Sequence, residues 1–124
     1  MTVLIDTSLL AGAATTGIEE SFALSVVTVG ELRLGILAAT TAPIRAARSA
    51  RLTAVLENTT VLAVDDAVAS QYAELRAATG RVPTNDLWIA ATAAAHKLTL
   101  VTGDERQSRL PGLRTRYVPS GTTD

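Results

Sequence analysis

Short apolar runs recur along the chain, and most are followed by a stretch in which apolar residues fall at helical spacing. Val3-Leu4-Ile5 is too brief for a helix and reads as a buried strand, after which Thr7-Ser8 start a helix through about Ala14. Phe22 to Val27 reads as the second strand. Thr28 then caps a helix to about Ala39, with Leu32, Ile36, Leu37 and Ala39 along its apolar stripe. Pro43 suits the first turn of a third helix that ends near Asn58. Thr60 to Val64 is a third strand, and Asp65-Asp66 begin a helix that stops at Gly80. Pro83 to Asp86 open a helix through about His96. Leu98 to Val101 is the next strand, a short helix follows Asp104, and a last strand lies near Arg114 to Val118. Gly121 to Asp124 reads as a frayed tail.

Strands that alternate with helices, and that are continuously apolar rather than alternating, predict a parallel sheet covered on both faces. The expected class is therefore α/β, a three-layer α/β/α sandwich. At 124 residues the chain suits one domain, since two cores would each bury too little apolar surface. The domain is expected to span residues 1–119, with 120–124 as a flexible tail. Ala90 to Ala95 is rich in alanine, as a helix packed closely on a sheet requires. In open parallel sheets, sites form beyond the carboxyl ends of strands. Asp6 and Asp104 occupy two such positions, while Glu31 and Asp86 begin helices that can reach the same edge.

Those four acids change the reading from fold to chemistry. Crowded carboxylates raise each other's pKa unless a cation neutralises them, and hard oxygen donors select magnesium or manganese over softer metals. Each acid also has a structural reading. Asp6 could cap the first helix, and Thr28-x-x-Glu31 could be a capping box in which Glu31 only reaches back to Thr28. Asp86 would be favoured in a first helical turn by the dipole alone, and Asp104 could be an ordinary turn acid beside Glu105. The joint pattern is more specific than any member. Asp65-Asp66 also join a strand to a helix but read as cap and dipole residues. Trp88 reads as core, His96 as a side chain near terminal helix carbonyls, and Arg45, Arg48 and Arg51 as a helical stripe that is solvated or meets a phosphate or acidic partner.

Composition narrows the chemistry further. The chain has no cysteine and one histidine, which excludes thiolate sites and disulfides and leaves His96 without a second imidazole for metal-free acid–base catalysis. The formal net charge of -1 conceals a division. With four of the twelve acids set aside in one pocket, eleven bases face eight acids, roughly +3, which permits an electropositive rim around an acidic hole. Lys97 is the sole lysine among those bases. No apolar run approaches a membrane span and no leader-like start is present, so a cytoplasmic protein is expected.

Four blocks carry a resemblance. Leu4-Ile5-Asp6-Thr7-Ser8, Val26-Val27-Thr28-Val29-Gly30-Glu31-Leu32-Arg33-Leu34-Gly35, Asn85-Asp86-Leu87-Trp88-Ile89-Ala90-Ala91 and Leu100-Val101-Thr102-Gly103-Asp104 resemble, in order, those of PIN-domain ribonucleases, specifically VapC toxins of the mycobacterial type. The resemblance implies a sheet of order 3-2-1-4-5 and an acidic site of Asp6, Glu31, Asp86 and Asp104 as catalytic and metal-binding residues. It also implies supporting or substrate-facing roles for Thr7, Ser8, Asn85 and Thr102. It further implies magnesium, with manganese as a possible substitute, endonucleolytic cleavage of RNA, a homodimer, and inhibition by a cognate VapB-type antitoxin. Gln107-Ser108 departs from the Asp-Phe pair of many members. A catalytically inactive binding module of the same fold is the alternative. An aspartate-nucleophile phosphatase fits less well, because Ser8 stands where its second aspartate belongs.

Overall fold

In the computed structural model, residues 2–10 and 20–119 are described. Thr2–Ile5 (β1), Ser21–Ser25 (β2), Thr60–Leu62 (β3), Thr99–Thr102 (β4) and Thr115–Tyr117 (β5) form one parallel sheet of order β3-β2-β1-β4-β5. The helices are Val26–Leu37 (α1), Ala42–Glu57 (α2), Asp66–Ala78 (α3) and Thr84–Ala95 (α4). The pleat sends alternate residues of the central strands into two cores. Leu4, Ala23 and Leu100 point with Val68, Leu75, Leu87 and Ala90 into the core under α3 and α4. Val3, Ile5, Leu24 and Val101 enter the other, with Leu9, Val29, Leu32 and Val55. Both faces of the strands are thus buried, and the three-layer expectation holds.

Boundaries differ from expectation in instructive places. β2 stops at Ser25, whose hydroxyl accepts the Val27 N–H at 3.1 Å and caps α1. Val26 and Val27, β-branched and apolar, therefore belong to the helix, and Thr28 is buried in its first turn rather than capping it. The Thr28–Glu31 capping box is accordingly absent. Beyond Asp6 the chain makes a 3-10 turn, Thr7–Leu9, and the rest of the helix expected through Ala14 lies outside the described residues. The short helix after Asp104 is a 3-10 turn at Gln107–Arg109. The expected tail, from 120 onward, is also outside the described residues.

Asp65 caps α3 as anticipated, accepting from Val68 N at 3.0 Å. Trp88 stacks on Tyr72 with ring centroids 3.9 Å apart, joining α4 to α3. Arg76 lies over the Tyr72 ring and donates to the carbonyls of Gly80 and Val82, so it holds the loop that leads into α4. On α2, Arg45 and Arg48 donate to the carbonyls of Ala39 and Gly35, where the C-terminal end of α1 favours cations. His96 closes α4 through its backbone N–H to Thr92 O at 3.2 Å, while its side chain is exposed.

Candidate functional site

The order 3-2-1-4-5 places the reversal of chain direction across the sheet between β1 and β4, and the residues that follow these strands are Asp6 and Asp104. Asp6 is 3% exposed. Its Oδ2 accepts from Ser8 Oγ at 2.6 Å, from Ser8 N at 3.2 Å and from Thr102 Oγ1 at 3.1 Å. Ser8 Oγ in turn accepts from Gly103 N at 2.9 Å, and Thr102 Oγ1 accepts from Asp104 N at 3.0 Å. Two hydroxyls thereby tie the ends of β1 and β4 together around one carboxylate oxygen. The other oxygen, Asp6 Oδ1, is buried and accepts no hydrogen bond among the described residues.

Glu31 enters from α1. Its Oε1 accepts from Thr7 Oγ1 at 2.6 Å and its Oε2 from Asn85 Nδ2 at 3.4 Å. It is therefore held by the turn after β1 and the start of α4 rather than by its own helix terminus. Asp104 is held by its own turn, with Oδ1 accepting from Arg106 N at 2.9 Å and Gln107 N at 3.4 Å. The Arg106 guanidinium stands 3.9 Å from the same oxygen.

Asp86, in the first turn of α4, reports on the arrangement of all four. Its carboxyl is pushed up from 3.8 to about 6, first by burial and then by the charges of Asp6, Asp104 and Glu31, against a lowering from Arg106. Three acids remote in sequence thus lie near enough to act electrostatically on the fourth. Among the described residues no three acids stand close enough together to grip an ion as placed. Mutual repulsion of carboxylates opposes a tighter cluster. The donor set nevertheless suits a hard divalent cation. It offers only oxygens, it includes one buried carboxylate oxygen with an unused lone pair, and it holds one carboxyl above its ordinary range through burial and the neighbouring negative charges.

Gln107 has a larger part than its sequence suggested. It is 3% exposed, its Nε2 donates to Asp86 O at 3.2 Å, and its Oε1 lies 3.4 Å from Thr102 Oγ1. A neutral amide thus braces α4 against the β4 turn, where many members of the resembled family carry an acid. The departure at Gln107-Ser108 was a visible signal, but its meaning depended on the tertiary contact with Asp86. Thr28 was read as a cap and is instead buried, with its hydroxyl 3.1 Å from that of Thr7.

Comparison with known proteins agrees with this architecture. Residues 3–113 match the PIN domain family. The chain is 42% identical over 118 residues to ribonuclease VapC4 of Mycobacterium tuberculosis, covering 87% of this chain and 90% of that protein. Ribonuclease VapC5 of the same organism is 48% identical over 99 residues, 77% of this chain and 73% of its own. The solved structure of VapBC-5 from Mycobacterium tuberculosis, a member of the VapBC family of toxin-antitoxin systems, matches with a TM-score of 0.80 and 38% identity. That match covers 94% of this chain and 97% of that one.

Proposed function

Because the chain belongs to the PIN-domain family, we propose that it is a metal-dependent endoribonuclease and the toxin of a VapBC-type toxin–antitoxin pair. Support comes from the two ribonucleases and the toxin-antitoxin structure that share most of its length. The observation that carries the metal is the buried Asp6 Oδ1, without a hydrogen-bond partner among the described residues, in a neighbourhood where the charges of Asp6, Asp104 and Glu31 act on Asp86.

In this reading Asp6 and Asp86 are the principal magnesium ligands, with manganese an acceptable substitute, and Glu31 and Asp104 complete the charge balance. When bound, the cation supplies Lewis acidity at a phosphodiester oxygen and acidifies the attacking water. Ser8 and Thr102 keep Asp6 Oδ2 occupied, so that Oδ1 is the oxygen left for coordination. Thr7 and Asn85 orient Glu31 from two sides, and Gln107 fixes the backbone at Asp86. Asp86 must be ionised to serve, and burial with its acidic neighbours favours its protonated form in the metal-free site, so protons compete with the cation there. No 2'-hydroxyl is consumed by this chemistry, and products with 5'-phosphate and 3'-hydroxyl ends are what the family resemblance implies. RNA selection then rests on the shape of a single-stranded or looped segment.

The antitoxin has a surface to use. A cleft of about 300 Å³ between α1 and α2 is lined by Leu10, Leu32, Leu52 and Val55, with Glu31 and Arg48 at its edge. Leu34 and Leu37 of α1, 66% and 74% exposed, add apolar surface close by in sequence. The protein is further proposed to act as a cytoplasmic homodimer in which 1–119 form the ribonuclease domain. Among the described residues no helix is long and apolar enough to cross a membrane.

Incubation of a loop-containing RNA with the wild type in magnesium, with the wild type in chelator, and with Asp6→Asn tests the proposal. Cleavage only in the first, leaving 5'-phosphate ends, is expected. Equal cleavage by Asp6→Asn would overturn the assignment of the acidic site, and no cleavage by the wild type with magnesium or manganese would leave the binding-module alternative in its place.

A further inference from the structure

The acidic site opens on two different surfaces. Toward α1 and α2 it borders the largely apolar cleft. On the other side a narrow groove is lined by Arg81, Pro83, Asp86, Asp104, Arg106 and Gln107, so two guanidinium groups flank two of the proposed metal ligands. Neither arginine is spent on stabilising the fold. The Arg106 side chain is 84% exposed, and among the described residues its one ion pair is the 3.9 Å approach to Asp104, too long for a hydrogen bond. Arg81 is exposed and makes no hydrogen bond or ion pair among the described residues.

Their uncommitted state separates them from most of the other arginines. Arg48 donates to the α1 carbonyl of Gly35 and Arg45 to Ala39 O just past the helix, Arg76 braces the 80–84 loop, Arg109 pairs with Glu105, Arg114 donates to Lys97 O, and Arg116 pairs with Glu20. Arg81 without a side-chain partner among the described residues, and Arg106 with only a long, exposed ion pair to Asp104, are available to an anion that bridges pocket and rim. A planar guanidinium presents a fork of donors that matches phosphate oxygens.

We infer that Arg81 and Arg106 form a phosphate subsite that holds the RNA backbone next to the phosphodiester being cut, and so set which side of the acidic site the strand leaves by. The inference rests on the ribonuclease reading of the same site. The strand then crosses the α4–β4 side and leaves the α1–α2 cleft clear. Interactions of this kind position the backbone and carry no base information, so sequence preference is left to other groups.

The test is the salt dependence of binding a short, fluorescein-labelled single-stranded RNA of mixed sequence, read by anisotropy on the non-cleaving Asp6→Asn background. Removing a cation that neutralises one phosphate of a single strand lowers the slope of log K against log salt by roughly 0.7. Arg81→Ala and Arg106→Ala are each expected to lower it by that amount and their combination by about twice as much, with lysine at either position restoring most of the slope. Arg114→Ala, whose guanidinium reaches Lys97 O at the opposite edge of the sheet, is expected to leave it unchanged. Unaltered slopes in the Arg81 and Arg106 variants, an equal fall in Arg114→Ala, or no salt-dependent RNA binding at all would overturn the subsite. Magnesium-dependent cleavage by the wild type, measured separately, decides the ribonuclease reading itself. A wild type that cleaves RNA while both slopes stay flat removes the subsite alone.

Discussion

Replacing Thr102 with valine removes one hydroxyl and keeps volume, β-branching and strand propensity, so its effect isolates the bridge between β1 and β4. Thr102 is fully buried, donates to Asp6 Oδ2 at 3.1 Å and accepts from Asp104 N at 3.0 Å. A hydrogen bond to a carboxylate contributes roughly 1.5–3 kcal/mol, and a neutral one about 0.5–1.5. The Asp6 carboxylate keeps both of its Ser8 donors, which moderates the first loss. Together the two losses predict a destabilisation of about 2–4 kcal/mol, with a proportional fall in the urea midpoint at unchanged m. Thr102→Ser, which retains the hydroxyl, is expected to lose much less. Denaturation by urea, followed by circular dichroism in chelator, measures both. A valine variant within about 0.5 kcal/mol of wild type, the scatter of an ordinary surface change, would refute the claim that this hydroxyl ties Asp6 to the β4 turn.

Three further outcomes follow from the same interactions. Asp86 has its folded pKa raised from 3.8 to about 6, so its contribution to stability is complete below the unfolded value and is lost as pH rises through about 6. The chelated protein should therefore melt higher at pH 5 than at pH 7, and Asp86→Asn should flatten that difference; a wild type with the opposite trend, steepened by Asp86→Asn, would contradict the burial and repulsion assigned to it. Gln107→Met conserves volume while removing both amide arms, and a circular dichroism spectrum close to wild type with a fall of roughly tenfold or more in kcat is expected; unchanged kcat would show that the brace to Asp86 is dispensable. Ser25→Ala removes the α1 cap and should cost about 1 kcal/mol in a urea melt, whereas a loss confined to Thr28→Ala would restore the capping box rejected above.

The strands were legible because β1 and β4 are buried on both faces and consist of unbroken apolar residues, the pattern a covered parallel strand must have. Asp65 was legible as a cap because its partner, Val68 N, is three residues away. The end of β2 was not, since Val26 and Val27 extend an apolar β-branched run and only the Ser25 hydroxyl marks the change to helix. Asp6 and Asp104 could be placed at strand ends from local pattern alone. The placement of Glu31 depended on Thr7, 24 residues earlier, and on Asn85, 54 later. No local window contains those partners, so Glu31 looked as much like a helix cap as a site residue. Gln107 was hidden for the same reason, because its function lies in a bond to Asp86 O formed only when α4 and the β4 turn meet.

The nuclease reading requires Asp6, Glu31, Asp86 and Asp104 to share a divalent ion. Titration of the purified protein with manganese, followed by loss of the free-ion electron paramagnetic resonance signal, addresses it without reference to any RNA. The wild type should take up manganese in competition with magnesium, and Asp6→Asn and Asp86→Asn should fold yet bind it far more weakly. Uptake by both variants equal to wild type, or no uptake by any of the three, would contradict a shared cation site at this edge of the sheet.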